Sequence, residues 1–357
     1  MADTSGAEIL GYLRPDGRLG IRNYVAVIYT VDCSKFVARK IQGLFPRQTQ
    51  LFGVPTGCRL RAGALHKIVE LGKHSQYGAA LVVGLGCEGT EAHMVAEQIA
   101  ASGKPAEAVV VQEEDGDLRA IEKGSRLLMQ LIQHSSQAER AKMTPADLIV
   151  GQVCGGSDAT SGLASNPITG VAADLLIEAG GTYMHTELAE LMGCGEILAA
   201  RAVNERVAQE IREAIEAAER ASFERGRFSW GYGNIRGGLT SIEEKSYGAL
   251  SKSGTKPLQG LLRKYGLAPG KGYWIQIGEP DSRFFSGDPE GINQFAAHGA
   301  QIGLFTTGCG STTGGLIPVI KVLANTKRPQ MIADNVDLDA TPVIRGEKTI
   351  HEMGEVL

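Results

Sequence analysis

Short apolar runs that alternate with helix-like stretches are the feature that most restricts how this chain can fold. Many of these runs are rich in β-branched residues, and most lead through a glycine into a helical pattern. Strands that are apolar along their whole length are typical of parallel sheets that helices cover on both faces. The predicted strands lie at residues 24–28, 79–83, 108–111, 148–150, 273–277 and 301–306. This alternation predicts an α/β fold of two Rossmann-like lobes with mostly parallel sheets.

The division into two lobes rests on chain length and on one polar segment. A chain of 357 residues exceeds what one typical core holds. Residues 133–147 are polar and end in a proline-containing turn, so we predict a first α/β lobe over residues 1–140 and a second over residues 146–357. The second lobe should also carry one long amphipathic helix, because apolar residues recur at about four-residue spacing among charges: Val203, Val207, Ile211, Ile215 and Ala218.

Composition and charge exclude several kinds of partner. The formal net charge is −4, and no run of Lys and Arg gathers the positive charge that a phosphate backbone requires, so nucleic acid is not an expected partner. No apolar run reaches the roughly 18 residues of a membrane-spanning helix, and the first ten residues do not resemble a secretion signal. We therefore expect a cytoplasmic protein without a membrane partner, in which the six cysteines remain thiols.

One glycine-rich turn has the spacing of a dinucleotide-binding loop. Gly84, Gly86 and Gly89 form a GxGxxG pattern between a predicted strand and a predicted helix. However, Glu88 stands where a bound pyrophosphate would lie, and its negative charge would compete with that anion. The turn is therefore open to three interpretations: an NAD site, a tight packing turn, or a substrate or metal loop.

Two further turns concentrate polar groups at predicted strand ends, where open α/β sheets bind ligands. Residues 154–162 and 306–315 offer hydroxyl groups and backbone amides that suit a carboxylate or another small oxyanion. Ser157 or Asp158 could instead be a helix N-cap, and the second turn could be a loop without a ligand. The candidate substrate-binding residues of this region are Gly155, Gly156, Ser161, Asn166, Thr306, Thr307, Gly308 and Cys309.

Four cysteines fall in separate turns after predicted strands, namely Cys33, Cys58, Cys87 and Cys154. Thiolates are soft ligands that suit iron, so these cysteines, with Glu88, are candidate metal ligands, although none has CxxC spacing. A buried cysteine that only packs in the core is the alternative. His185 and Glu187 pose a similar choice between a catalytic base and a structural histidine.

Several long motifs resemble those of one enzyme family. The segment GYLRPDGRLGIRNYVAVIYTVDCS at residues 11–34 is similar to the start of the catalytic region of altronate/galactarate dehydratases. The order and approximate spacing of that family are then kept by GLGCE at 84–88, CGGSD at 154–158, GNIRGGLTSIEEKS at 233–246, FTTGCGS at 305–311 and PVIK at 318–321. Because these motifs span nearly the whole chain, the chain is identified as a member of the altronate/galactarate dehydratase family.

Departures from the family pattern shape three further expectations. Fused members carry a small N-terminal domain before this region, whereas here the first motif starts almost at residue 11, so the chain resembles a large subunit that works with a separate small subunit. The family's TTGRG has Cys309 in place of arginine, and losing a bidentate carboxylate ligand suggests a different or shorter substrate. The chain also stops earlier than the family's end, so a truncated C-terminus is expected.

The resemblance implies a lyase that acts on a sugar acid or a small α-hydroxy-acid. A base takes the proton beside the carboxylate, a leaving group departs from the next carbon, and the resulting enol becomes a 2-keto acid. A divalent metal is implied as the Lewis acid for the ene-diolate, either as Fe2+ or within an iron–sulfur cluster. A homo-oligomer is also expected.

Residue roles in this elimination are assigned as hypotheses. Proton transfer is expected of Lys245 or Glu187. Other groups that would contact or orient the acid are Ser157, Asp158, Asn23, Asn166 and Asn234. Two other functions remain open: an NAD-dependent oxidoreductase that uses the turn at residues 84–89, and a sugar-acid-binding subunit without catalysis.

Overall fold

The computed structural model describes residues 9–53, 58, 62–186, 188–226, 230–277, 288–326 and 332–357. The chain divides into two compact units between Asp147 and Leu148, at the end of the polar segment that the sequence analysis singled out. Within the described ranges, no helix combines the length and the low polarity that crossing a membrane requires.

The first unit is built on a parallel sheet. Its strands and α-helices, in chain order, are β1 Leu10–Leu13, β2 Leu19–Gly20, β3 Tyr24–Tyr29, α1 Lys35–Gln42, β4 Thr49–Gly53, α2 Ala62–Gly72, β5 Tyr77–Gly84, α3 Ala92–Ala100, β6 Ala106–Val110, α4 Asp117–Ser135 and β7 Arg140–Lys142. The parallel sheet has the order β4-β3-β5-β6, and a small antiparallel sheet has the order β2-β1-β7. Every residue of β5 is buried, as expected for a strand between two helical layers.

The second unit contains a larger parallel sheet. Its strands and α-helices are β8 Ile149–Cys154, α5 Asn166–Glu178, β9 Thr182–His185, α6 Gly195–Ala199, α7 Glu205–Arg225, α8 Tyr232–Arg236, α9 Ile242–Leu250, β10 Leu258–Leu262, β11 Gly272–Gln276, α10 Asp288–Ala297, β12 Ile302–Thr307, β13 Val319–Leu323, β14 Leu338–Asp339, α11 Thr341–Ile344 and α12 Ile350–Val356. The order is β10-β11-β9-β8-β12-β13-β14, and all pairs are parallel. The predicted α/β fold with mostly parallel sheets is confirmed.

Each of the two parallel sheets contains a switch strand, where the order in which strands are added to the sheet reverses from one side to the other. From β3 the next strand, β4, pairs on one side and β5 on the other. From β8 the next strand, β9, pairs on one side and β12 on the other. At such switch strands the two connections leave on opposite faces of the sheet and open a crevice at the carboxyl ends. The fold therefore offers one candidate ligand crevice in each unit.

Apolar side chains explain the long helix of the second unit. α7 buries Val207, Ile211, Ile215 and Ala218 against the core, whereas Val203 lies before the helix and is exposed. The helix begins after Asn204, whose side chain accepts a hydrogen bond from the Val207 amide at 3.0 Å and so caps the first turn. The predicted amphipathic helix is thus present, shifted by about two residues.

Candidate functional site

Two loops meet at the carboxyl end of switch strand β8. We call residues 155–160 the β8 loop and residues 308–315 the β12 loop. The amide of Gly155 donates to the carbonyl of Thr306, and the amides of Gly308 and Cys309 both donate to the carbonyl of Gly156. Since each loop bonds to the other or to the other's strand through the backbone, the two predicted loops form one edge of the second sheet.

Asp158 joins these loops from a buried position. Its Oδ1 accepts hydrogen bonds from the Ser161 amide and the Thr160 hydroxyl, both at 2.8 Å. Its Oδ2 accepts one from Nδ2 of Asn325 at 2.8 Å, and the same nitrogen donates to the carbonyl of Gly308 at 2.9 Å. The local bonds are those of an N-cap, and the bond to Asn325 adds a link to the β12 loop. Asp158 is therefore placed to position both loops.

Glycines allow the close approach around Asp158. A Cβ atom on Gly308 would lie 1.9 Å from Cγ of Asp158, and one on Gly237 would lie 2.6 Å from its Cβ. Neither distance is compatible with a side chain at the glycine. The predicted substrate-loop residue Gly308 thus has a clear packing role in holding the carboxylate of Asp158.

A cluster of charged groups is buried beside the end of β8. We call it the Glu190 cluster; its members are Glu190, Lys245, Lys252 and Cys154. Oε1 of Glu190 lies 2.8 Å from Nζ of Lys245, while its Oε2 lies 3.2 Å from Nζ of Lys252 and 2.7 Å from Sγ of Cys154. All four residues are buried. Burial alone would raise the pKa of Glu190, but the ammonium groups of Lys252 and Lys245 hold this pKa well below its usual value.

Polar side chains continue the cluster along the sheet. Gln152 pairs in register with His185, and Gln152 and Cys154 are two residues apart on β8, so all three point to the same face. Burial, and then the charge of Lys252, lower the pKa of His185 well below its usual value, which keeps the ring neutral. Nε2 of His185 and Oε1 of Gln152 are buried and have no hydrogen-bond partner among the described residues. This face of the sheet is therefore polar where a core would ordinarily be apolar.

The other predicted residues of the second unit surround this edge. Oγ of Ser157 lies 3.7 Å from Sγ of Cys154, and Nδ2 of Asn234 donates to the carbonyl of Ser157 at 2.9 Å. Nδ2 of Asn166 donates to the carbonyl of Gly248 in α9, the helix that carries Lys245. Ser161 bonds to Asp158 through its hydroxyl as well as through its amide. Glu187 lies outside the described residues.

The hydroxyl groups of the β12 side are engaged within the protein. Oγ1 of Thr306 accepts a hydrogen bond from Nε2 of Gln152 at 3.1 Å. Oγ1 of Thr307 accepts from the amides of Cys309 and Gly310, at 3.2 and 3.0 Å. The amides of Gly308, Cys309 and Gly310 thus donate to the protein itself, because this part of the loop is closed by Thr307 and by Gly156.

Three exposed thiols follow neighbouring strands of the first unit's parallel sheet. Cys33, Cys58 and Cys87 are all exposed. Hydrogen bonds join the segments that carry them: Ser34 to the carbonyl of Val83 at 2.9 Å, and the Gly89 amide to the carbonyl of Cys58 at 2.7 Å. Among the described residues, however, no group of three or more His, Cys, Asp or Glu side chains is arranged to hold a metal ion.

Glu88 closes the glycine turn of the first unit. Oε1 accepts hydrogen bonds from the Leu85 amide and the Thr30 hydroxyl at 2.9 and 2.8 Å, and Oε2 accepts one from the Gly86 amide at 2.6 Å. Burial alone would raise the pKa of Glu88, but the Gly86 amide, its own backbone and Thr30 hold this pKa below its usual value. The carboxylate therefore occupies the amide donors that a dinucleotide phosphate would need.

Asn23 lies at the opposite end of the first sheet from these loops. It precedes β3, and its Oδ1 accepts hydrogen bonds from Arg14 at 2.8 Å and from the Ser135 hydroxyl at 3.0 Å. Its Nδ2 donates to the carbonyl of Ser135 at 2.8 Å. The structure therefore does not bring Asn23 to a carboxyl edge, and its bonds anchor the start of β3 to the end of α4.

Comparisons with known proteins agree with the motifs. The family models described as "D-galactarate/Altronate dehydratase, C-terminal" and "D-galactarate dehydratase/Altronate hydrolase, second domain" match residues 145–357 and 11–136. The (2R)-sulfolactate sulfo-lyase subunit beta of Chromohalobacter salexigens is 33% identical over an alignment that covers 99% of this chain and 92% of that relative. The chain belongs to the D-galactarate/altronate dehydratase family.

Other members of the D-galactarate/altronate dehydratase family match less of their own length. The altronate dehydratase of Bacillus subtilis is 29% identical, with coverage of 96% of this chain and 71% of the relative. The galactarate dehydratase (L-threo-forming) of Escherichia coli is 32% identical, with coverage of 78% of this chain and 54% of the relative. As a family member the chain is a lyase of the carbon–oxygen or carbon–sulfur type.

Sequence reasoning missed several residues that lie at the carboxyl end of β8 or next to its loops. Glu190 and Lys252 lack a motif, and the only signal for Glu190 is a carboxylate within the apolar segment LAELM. Asn325 follows β13, and a residue just after a parallel strand is expected at the carboxyl edge. Asp288 begins α10 and lies beside Gly155, a contact that no sequence pattern indicated.

Proposed function

We propose that this chain catalyses β-elimination from a sugar acid or a small α-hydroxy-acid to give a 2-keto acid, at the carboxyl end of β8. The observation that supports this most is the Glu190 cluster, which buries an amine, a carboxylate and a thiol at a switch strand. Buried ionic groups cost free energy, so their presence beside candidate substrate loops favours a chemical role over a purely structural one.

Lys245 is the proposed base that removes the proton next to the substrate carboxylate. Its Nζ is fixed at 2.8 Å from Oε1 of Glu190, and the ammonium group of Lys252 binds the other oxygen of the same carboxylate. To act as the base, Lys245 has to start the cycle as the neutral amine. Once Lys245 has accepted the substrate proton, Glu190 stabilises the ammonium group that results.

The loops at the same edge are proposed to orient the acid. Ser157 and Asn166 lie near Cys154 and near α9, respectively, and Asp158 holds the β8 and β12 loops in register through Asn325. Fixing the substrate so that the reacting proton faces the base contributes to rate without any covalent step. Asp158 acts here as a positioning residue.

The test is turnover by two variants of the β8 edge. Asp158→Asn removes one acceptor from the bonds to Ser161, Thr160 and Asn325, and Cys154→Ala removes the thiol bound to Glu190. We expect 2-keto acid formation to fall at least about 100-fold in both, with the fold kept. Cys194→Ala, at another buried cysteine, should keep wild-type activity. Wild-type rates in both site variants would remove this edge from the mechanism.

An NAD-dependent oxidoreductase is the weaker alternative, because Glu88 already accepts hydrogen bonds from the backbone amides of Leu85 and Gly86. Replacing an internal carboxylate by a phosphate would require breaking both bonds. We therefore expect no quenching of tryptophan fluorescence when NADH is added. Saturable quenching, together with reduction of NAD by a hydroxy-acid, would favour the oxidoreductase.

Iron is the proposed metal, although Cys33, Cys58 and Cys87, the thiols that would bind it, are not arranged around a common metal position in the structure. Three thiols on hydrogen-bonded segments of one sheet edge have the donor chemistry that iron prefers, whether as a single ion or as a cluster. Cys154 is left out of this ligand set, because its sulfur lies against Glu190 in the other unit.

The triple Cys→Ser variant of Cys33, Cys58 and Cys87 should lose bound iron after anaerobic reconstitution, whereas Cys194→Ser should retain it. Equal iron content in both variants would refute this ligand set.

A separate small subunit is also proposed. The relative from Chromohalobacter salexigens is named a subunit beta, and the chain covers 92% of it. We expect the product of a neighbouring gene to co-purify with the chain and to raise 2-keto acid formation severalfold or more. Binding of sugar acids without turnover, even with that subunit added, would instead favour the non-catalytic binding function.

A further inference from the structure

A third carboxyl group stands at the end of β8, apart from Asp158 and from the Glu190 cluster. Asp288 is the first residue of α10 and is half-buried. Its Oδ2 lies 3.5 Å from the position that a Cβ atom on Gly155 would occupy. Because Gly155 directly follows Cys154, this carboxyl group borders the β8 loop at the proposed reaction site.

Asp288 and Glu190 have opposite electrostatic surroundings. Burial, and then the negative charge of Glu190, raise the pKa of Asp288, while Lys245 acts weakly in the other direction. The lysines instead hold the pKa of Glu190 well below its usual value, although burial opposes them. Glu190 thus stays ionised, while Asp288 favours its protonated form more than an ordinary carboxyl group does. Such a pair separates the role of a charge anchor from that of a proton donor.

We propose that Asp288 is the general acid of the elimination, an inference that rests on the proposed function. Lys245 takes the proton from C2, the carbon next to the carboxylate, as the C3–O bond breaks and the Asp288 carboxyl proton passes to the departing oxygen, which leaves as water. The enol then gains a proton at C3 from Lys245 and loses its hydroxyl proton to Asp288. Both residues return to their starting states, and no oxidant or reductant is consumed.

The identity of the leaving group provides the test. A hydroxyl group needs a proton to depart, whereas fluoride leaves without one. A substrate with fluorine in place of the C3 hydroxyl group therefore bypasses a general acid but still needs the base and the loops. The relevant comparison is kcat and KM for both substrates in wild type, Asp288→Asn and Glu290→Gln. Glu290 is exposed on the same helix and serves as the matched control.

Asp288→Asn should lower kcat for the hydroxyl substrate by about 100-fold or more, with KM changed less than about threefold. Its kcat for the fluoro substrate should stay within about threefold of wild type. Asp288→Glu should recover part of the lost rate, and Glu290→Gln should match wild type on both substrates. Thermal unfolding of each variant checks that the fold is kept.

Two outcomes overturn the assignment of Asp288 alone. Either Asp288→Asn loses activity equally on both substrates, or it keeps its activity on both. An equal loss would mean that Asp288 only supports the local structure. If the wild-type enzyme, with its small subunit supplied, forms 2-keto acid from neither substrate in a panel of hydroxy-acids, the proposed function itself fails, and the role of Asp288 fails with it.

Discussion

The two switch strands have the same topology but present different chemistry. Beside β3, the glycine turn that follows β5 closes on its own carboxylate, Glu88, and the thiols of the edge are exposed. At β8 the loops are closed by backbone bonds and by Asp158, while the lysines and Glu190 are buried. A charged group that fills a turn from within makes it rigid and unavailable to an anion. The comparison shows that topology predicts a ligand crevice at both edges. The hydrogen bonds and ion pairs of the carboxylates then determine which ligands each crevice could accept.

Removing the carboxylate at the β8 edge should have the largest effect. Glu190→Gln leaves two buried ammonium groups without their shared anion, so we expect a loss of about 3–5 kcal/mol in the free energy of unfolding and no measurable turnover. Glu196→Gln, whose carboxylate pairs with Arg212 at the surface, is the control and should cost less than about 1 kcal/mol. Urea unfolding measures both variants. If both variants lose the same small amount of unfolding free energy, Glu190 does not stabilise two buried ammonium groups.

Crowding the contact beside Asp158 should have the next largest effect. Gly308→Ala places a methyl group 1.9 Å from Cγ of Asp158, so the loop must shift, at a cost of about 1–3 kcal/mol and at least about 100-fold in activity. Gly314→Ala is the control on the same loop, since a Cβ there meets no described atom within 4 Å. If both variants keep full activity, the geometry of the two loops is not essential for catalysis.

The strands and the edges of the sheets could be predicted because apolar runs and glycine turns are local signals. β3, β5 and β12 begin and end within about two residues of their predicted limits. β8 extends four residues further than predicted, because Cys154 is apolar enough to continue a buried strand. The change of chain direction at β8 depends on pairing between distant strands, which no local pattern reports.

The site was predicted less completely than the fold. Ser157, Asp158 and Lys245 were found through motifs, and their motifs do come to one edge. The roles proposed for them depend on Glu190, Asn325 and Asp288, which lie far away in sequence and reach the edge only through the fold. Asn23 shows the converse, since its motif suggested substrate contact while its bonds hold the amino end of β3.

A variant of Asn23 tests whether this residue stabilises the fold or contacts the substrate, with a smaller expected effect. Asn23→Ala removes hydrogen bonds to Arg14 and Ser135, so we expect a loss of about 1–3 kcal/mol in the free energy of unfolding. KM for the hydroxy-acid should remain within about twofold of wild type, because this residue lies at the amino end of its own sheet. A large rise in KM with unchanged stability would return Asn23 to the substrate site.

The smallest expected effect concerns the pH dependence of stability at the β3 edge. The pKa of Glu88 is lower in the folded chain than its usual value near 4.5, so its contribution is fully present above that pH and is lost as the pH falls through the folded value. We expect Glu88→Gln to lose about 1 kcal/mol above pH 5 and to show a flatter acid limb. The exposed neighbour Glu91, changed to Gln, should behave as wild type. Identical acid limbs for all three would contradict the closed-turn interpretation.

Loss of the α-proton in deuterated water tests most directly the claim that elimination takes place at the end of β8. Proton NMR should show the wild-type enzyme, with any required partner subunit and metal supplied, removing the C2 proton and forming a 2-keto acid with deuterium at C3. Lys245→Met should do neither, while Lys264→Met, at an exposed lysine, should match wild type. Wild-type rates of proton loss and keto acid formation in Lys245→Met would contradict the account.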